Sequence, residues 1–151
     1  MDKYDWGGGK IKINSKKVII AGIVGGIVNT IYSILVCSGI MMPYLEEITG
    51  KDFWIPNTVA HIAIMTVFSF LICILWAFGY AILYKGIPGV GLSKGVSYGF
   101  LLWLLGILPQ TVALHLHTTI WPEFNWVFLS INSLVRWLIL GIVYATIYKI
   151  E

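Results

Sequence analysis

Arg136 lies near the middle of the last long apolar stretch of the chain, where its charge makes the sharpest chemical demand in the sequence. A guanidinium at the centre of a bilayer costs about 2.5–3.5 kcal/mol on insertion scales. Snorkelling recovers only part of that from such a depth. The side chain is therefore expected to face inward, towards polar groups on other helices. Asn29, Gln110 and Asn132 can each offer an amide oxygen. The carbonyl of Leu105 is a further acceptor, because Pro109 cannot donate to it and pushes it aside. With His61 and His115, these residues make up the candidate ligand-binding set, placed in the outer half of a helix bundle. Two readings stand side by side. In one, Arg136 ties the last helix to a kinked third helix. In the other, it faces a cavity open to the outside and neutralises an anion, a lipid headgroup or a quinone oxygen. A guanidinium turned to lipid or to a partner protein is the third alternative.

The histidines allow one more chemistry. His61 and His115 fall at comparable depths on neighbouring helices, where two imidazoles could ligate a haem iron and Arg136 could pair with a propionate. A metal site from His61, His115 and His117 lacks the carboxylates that such sites commonly use. No resident metal or other cofactor is expected. Catalysis finds no support either. The predicted spans contain no serine–histidine–acid set and no paired carboxylates. The segment GIPGVGLSKG lacks phosphate-loop spacing and reads as a turn. An ion or proton path normally needs a carboxylate within the membrane, and no Asp or Glu falls in a predicted span. Cys37 and Cys73 sit on different helices without metal-like spacing and read as ordinary buried thiols.

The elements that must position these residues follow from composition. Apolar residues make up 58% of the 151-residue chain and charged residues 11%, against about 25% charged in a soluble domain. Four stretches reach the roughly 20 apolar residues that a transmembrane helix needs. They cover about residues 18–42, 57–84, 93–117 and 124–148, with Pro43 ending the first. No alternation suited to a barrel is visible. An all-α, four-span bundle with a cytoplasmic segment over residues 1–17 is expected, with its first helix retained rather than cleaved. Asn14 or Ser15 can cap that helix. The loop from Tyr44 is long enough for a short surface helix, whose Leu45, Ile48, Phe53 and Trp54 could dip into the interface.

Lysines gather before the first span, between the second and third, and after the fourth, whereas acids dominate the other two loops. The positive-inside rule then puts both termini in the cytoplasm of a cell (cytoplasmic) membrane. The net charge of +3 is no nucleic-acid signal, because the lysines mark membrane borders. Tyr80, Tyr84, Tyr98, Tyr144 and Tyr148 are expected near the inner interface, as an aromatic belt or between helices. Small residues at helical spacing mark packing seams: Gly22 and Gly26 on the first span, Gly99 and Gly106 on the third, and Gly141 with Ala145 on the fourth. The third-span stripe continues through Gln110, Ala113 and His117.

The stretch from VAHIAIMTVFSF to GIVYATIYK carries a histidine opening one span, a glycine-bearing turn, a proline-interrupted span and a last span ending in small residues and tyrosine. His61, Gly95, Pro109, Gly141 and Tyr144 hold those places. In this it resembles small bacterial inner-membrane proteins of the YagU-like type, although Asn132 stands where such proteins tend to have a histidine. The resemblance implies four spans and a cytoplasmic-membrane address. The function expected is a non-enzymatic structural or accessory membrane component, alone, as a homo-oligomer or beside larger subunits. The alternative is a protein that binds or transports a quinone, lipid, haem or small anion. The bilayer is the expected partner and nucleic acid is excluded.

Overall fold

The helix boundaries have local causes. In the computed structural model, which describes residues 13–49, 58–117 and 123–149, every regular element is helical. Helix α1 (Ser15–Tyr32) starts where the Asn14 side chain accepts the Lys17 backbone N–H. It passes into a π-helical stretch, Ser33–Met41, and then into α2 (Met42–Thr49). Helix α3 (Val59–Leu83) is capped by Thr58, whose hydroxyl accepts the His61 N–H. Helix α4 (Leu92–Leu102), a second π stretch (Trp103–Ile107) and α5 (Leu108–His117) form one rod, and α6 (Glu123–Ile147) closes the chain. Between α3 and α4, Gly89 and Gly91 take positive φ, a conformation that costs a side chain energy. The Ser93 hydroxyl closes this turn through the Val90 N–H and carbonyl. Four helices are long and apolar enough to cross a membrane: Ser15–Glu47, Val59–Leu83, Leu92–Ala113 and Trp126–Ile147.

Pro43 does not end the first of them. It occupies the second position of α2, in the first turn, where its missing N–H is tolerated. The π stretch directly before it shifts the hydrogen-bond ladder to i→i+5 spacing. Pro109 repeats the arrangement as the second residue of α5, after the π stretch in which the Leu108 N–H bonds the Trp103 carbonyl. The short helix expected in the loop is thus the continuation of the first span. Leu45 is buried there, while Phe53 and Trp54 lie outside the described residues.

Helix α1 packs along α3, and α4 along α6, with α1 also crossing α6. Glycines set how closely they approach. A β-carbon on Gly22 would strike the Ile74 backbone, and one on Gly26 the Phe70 ring. Between α4 and α6 the contact is backbone on backbone: side chains at Gly95 or Gly99 would overlap the carbonyls of Gly141 or Trp137, and one at Gly141 the carbonyl of Gly95. Gly25 opposes the Tyr144 ring, which joins the two helix pairs. Gly106 departs from the expected seam, since a β-carbon there meets nothing. The π stretch explains why. An extra residue in a turn rotates everything beyond it by about 100°, so Gly106, Gln110 and Ala113 swing to the exposed side.

The tyrosines pack between helices instead of lying in a belt. Tyr80, Tyr98, Tyr144 and Tyr148 are buried and in edge or tilted contact around Tyr80, with ring centroids 5.0–6.4 Å apart. Tyr98 donates to the Trp76 carbonyl at 2.7 Å and Tyr144 to the Cys73 carbonyl at 3.2 Å. Burial raises the Tyr148 phenol above its ordinary range.

This end of the bundle has an internal repeat. Ser69, Tyr80, Ala81, Tyr84 and Lys85 recur at one constant spacing as Ser133, Tyr144, Ala145, Tyr148 and Lys149, and Ser15-Lys16-x-Val18 recurs as Ser93-Lys94-x-Val96. The lysine contacts are alike, each shifted by one residue from strict equivalence. Lys17 Nζ bonds the Lys149 carbonyl at 3.0 Å, and Lys94 Nζ bonds the Tyr84 carbonyl at 2.6 Å. In each case a lysine opening one helix pair closes the helix end of the other.

The two kinds of glycine should respond oppositely to substitution. Gly141→Val is expected to lower stability by about 2–3 kcal/mol, because overpacking displaces two backbones. Gly106→Ala should stay within about 1 kcal/mol of the parent. Unfolding in mixed detergent, followed by far-UV circular dichroism, measures both.

Candidate functional site

Mid-depth polar groups sit where α1, α3 and α6 meet. Asn29 is buried, with 4% of its surface exposed. Its Oδ1 accepts a hydrogen bond from Arg136 Nε at 2.5 Å, and its Nδ2 donates to Ser69 Oγ at 2.6 Å. An amide suits the position because it accepts and donates at once. The oxygen meets the cation of α6 while the nitrogen holds α3. A hydrogen bond to a charged donor is stronger than a neutral one, and more so in a low-dielectric interior.

A second clamp lies next to the first. Tyr32 donates its hydroxyl to Asn132, with Oδ1 at 2.5 Å and the backbone carbonyl at 3.1 Å. Asn132 Nδ2 in turn points to Met41 Sδ at 3.2 Å, inside the first π stretch. Trp103, in the second π stretch, donates its indole N–H to the Ser130 carbonyl at 2.9 Å. Both widened turns are therefore fastened to α6. Ser133, Thr66, Thr30 and Thr111 spend their hydroxyls on carbonyls of their own helices, a common solution for hydroxyls in apolar surroundings.

Of the residues expected around Arg136, the structure brings Asn29 to the guanidinium. Asn132 is one turn away, but its oxygen serves Tyr32 rather than Arg136. Gln110 is exposed, for the reason of helix rotation given above. Arg136 finds its acceptor on an α1 side chain, not on a carbonyl freed by Pro109. His61 lies in the first turn of α3, eight residues before Ser69 and so about 12 Å further out. The backbone at His115 and His117 belongs to α5, but their side chains lie outside the described ones. Among the described residues no three His, Cys, Asp or Glu side chains group together as metal ligands would.

Sequence reasoning missed Ser69, Tyr32 and Gly25. The first two are isolated hydroxyl residues on apolar helices, a pattern shared with many residues that only bond their own helix. Ser69 carried one signal: it is the repeat counterpart of Ser133, one turn before Arg136.

The electrostatics are one-sided. The acids of the chain are Asp2, Asp5, Glu46, Glu47, Asp52, Glu123 and Glu151. Glu123 stands about 20 Å from Arg136 along α6, and Glu46 about 25 Å beyond Asn29 along its helix. Both separations exceed the reach of an arginine side chain. Among the described residues, then, Asn29 solvates the charge and no carboxylate neutralises it.

Comparisons with known proteins found no matching family model, no similar curated protein and no similar solved structure.

Replacing Asn29 by Ala should break two helix contacts and leave Nε without its acceptor. The expected loss is about 1–2 kcal/mol, since interhelical hydrogen bonds in membranes reach about 1.7 kcal/mol at most in double-mutant cycles. A cycle of Asn29→Ala with Ser69→Ala, read by detergent unfolding, should return a favourable coupling between these two residues.

Proposed function

We propose that this chain is a small multi-pass protein of the cytoplasmic membrane, with both termini in the cytoplasm, acting as a non-enzymatic structural or accessory component. The observation that carries the reading is the joint bond of Asn29 to Arg136 and Ser69, which ties three spans together at mid-depth. A site built for turnover leaves polar groups directed at a substrate. Here Asn29, Ser69, Tyr32 and Asn132 are spent on one another and on Arg136.

The orientation rests on charge. Lys17 and Lys149 meet at one end of the bundle, where Lys94 meets the end of α3 beside Lys85. Glu46 and Glu47 in α2 and Glu123 at the start of α6 lie towards the opposite end. Lysine-rich borders favour the cytoplasmic side. The YagU-like resemblance fits the same address. Exposed apolar side chains line α3 from Val59 to Leu83, leaving a surface for lipid, for another copy or for larger subunits.

A second reading, a ligand-binding protein, draws on the incomplete neutralisation of Arg136 and is taken up below.

Topology is tested with single cysteines placed in a variant in which Cys37 and Cys73 are replaced. A cysteine at Lys85 should react with an impermeant maleimide only after the cells are opened. One at Glu47 should react in intact cells. Labelling of the Lys85 position in intact cells would overturn the orientation, and recovery of the chain in the soluble fraction would overturn the membrane assignment.

A further inference from the structure

Arg136 has five N–H donors, and the Nε donor goes to Asn29. The terminal nitrogens, which carry the other four, find no acceptor among the described residues. The side chain is only partly buried, and its α6 neighbours Ile131 and Val135 are exposed. One donor of the guanidinium thus meets the protein, while the side chain keeps part of its surface exposed. By helix rise the group lies about 15 Å from Trp126 and about 18 Å from Tyr148, near the middle of a layer about 30 Å thick. Among the described residues no carboxylate bonds it. A cation this deep favours any anion that can come to it.

Three features narrow that anion. Phospholipid phosphates stay at the interface, about 15 Å away. A quinone oxygen is neutral and leaves the charge in place. An inorganic anion needs a watery path, whereas an apolar-tailed acid arrives from the bilayer by lateral diffusion. The free edge of an arginine is a planar fork that suits the two oxygens of a carboxylate. The internal repeat points the same way. At its constant spacing Arg136 corresponds to Ile72 and Asn132 to Phe68. The scaffold is built twice, yet the charge occurs once, at a position where the other copy folds with a hydrocarbon side chain.

We infer that Arg136, held by Asn29, binds the carboxylate of an apolar-tailed organic acid of the fatty-acid class, with the tail in the apolar layer around the bundle. The acid leaves its proton with water at the interface as it enters, and its carboxylate is held beside the guanidinium as the ion pair. This deepens the ligand-binding reading and rests on the membrane assignment above.

The test is equilibrium binding of radiolabelled oleate to the full chain in dodecyl maltoside micelles, with methyl oleate and chloride as competitors. The parent protein should bind oleate saturably, Arg136→Gln should bind it at least about tenfold more weakly, and neither competitor should displace it. Arg136→Lys keeps the charge but loses the fork, and should fall in between. It also provides the readout if Arg136→Gln does not assemble, as judged by circular dichroism and gel filtration. Absence of saturable binding, equal binding by Arg136→Lys, or displacement by methyl oleate overturns the proposal. Displacement by chloride at physiological concentration overturns it in favour of an inorganic-anion site. Because binding is read in micelles, a failed orientation test leaves this result standing, and a failed binding test leaves the orientation standing.

Discussion

Hydrocarbon cannot solvate a guanidinium, and at Arg136 the bundle provides that solvation through one amide. The bond from Arg136 Nε to Asn29 Oδ1 forms only if α1 and α6 come together at that level. Asn29 then has a nitrogen to spend, and Ser69 takes it, so α3 is fixed at the same height. Three spans acquire a common reference level from a single residue pair. This register information is scarce in a membrane bundle, because apolar side chains slide past lipid and past each other with little change in free energy. Glycine contacts set how near two helices come, and the polar knot sets where along their length they meet.

Below that level the structure is dense and close to symmetric. Gly95, Gly99 and Gly141 bring two backbones into contact, and four buried tyrosines fill the space between the helix pairs. Above it, the two π stretches change the character of the bundle. Each directly precedes a proline in the first turn of the next helix, and each is tied to α6, through Met41 to Asn132 and through Trp103 to Ser130. The prolines therefore do not terminate their spans. They are accommodated by a wider turn, and the change in rotation sends a different face outward.

The sequence disclosed the spans, the close-packed glycines at Gly22, Gly26, Gly99 and Gly141, and the likeness of Asn29 to an acceptor, because each depends on local chemistry: the length of an apolar run, the absence of a side chain, the cost of a buried cation. It misled wherever the argument assumed one unbroken α-helical period. The third-span stripe was extended through Gly106 to Gln110 at 3.6 residues per turn, and five residues of π-helix were enough to put both on the exposed side. The same assumption made Pro43 a terminator. For the tyrosines the sequence leaves a belt and a place between helices both open, because depth does not distinguish a ring in the headgroup layer from a ring between helices. What decides is whether the facing residues are small enough to admit it, and Gly25 against Tyr144 is such a pair. Tyr32 is illegible because its partner lies on another helix at a separation that no periodicity encodes, and Ser69 is marked only as the repeat counterpart of Ser133.

The repeat relates these observations. Tyr80, Ala81, Tyr84 and Lys85 match Tyr144, Ala145, Tyr148 and Lys149, and each helix pair sends a lysine to the end of the other. Two similar units packed together bury equivalent residues against each other, so Tyr80 and its counterpart Tyr144 meet in one cluster and a lysine-to-carbonyl bond forms in each direction. A symmetric assembly would place like groups at like depths. At mid-depth this chain does not. Ser69 and Ser133 still correspond, but Ser69 bonds Asn29 whereas Ser133 bonds its own helix, and Arg136 stands opposite the repeat position of Ile72. Packing alone cannot demand the arginine, since the equivalent place in the other pair is filled by hydrocarbon. The departure from the repeat thus coincides with the one charged residue at mid-length of the described long helices and with the acceptor that solvates it. That coincidence separates the scaffold, which the chain holds in duplicate, from the polar knot at Arg136, which it holds once.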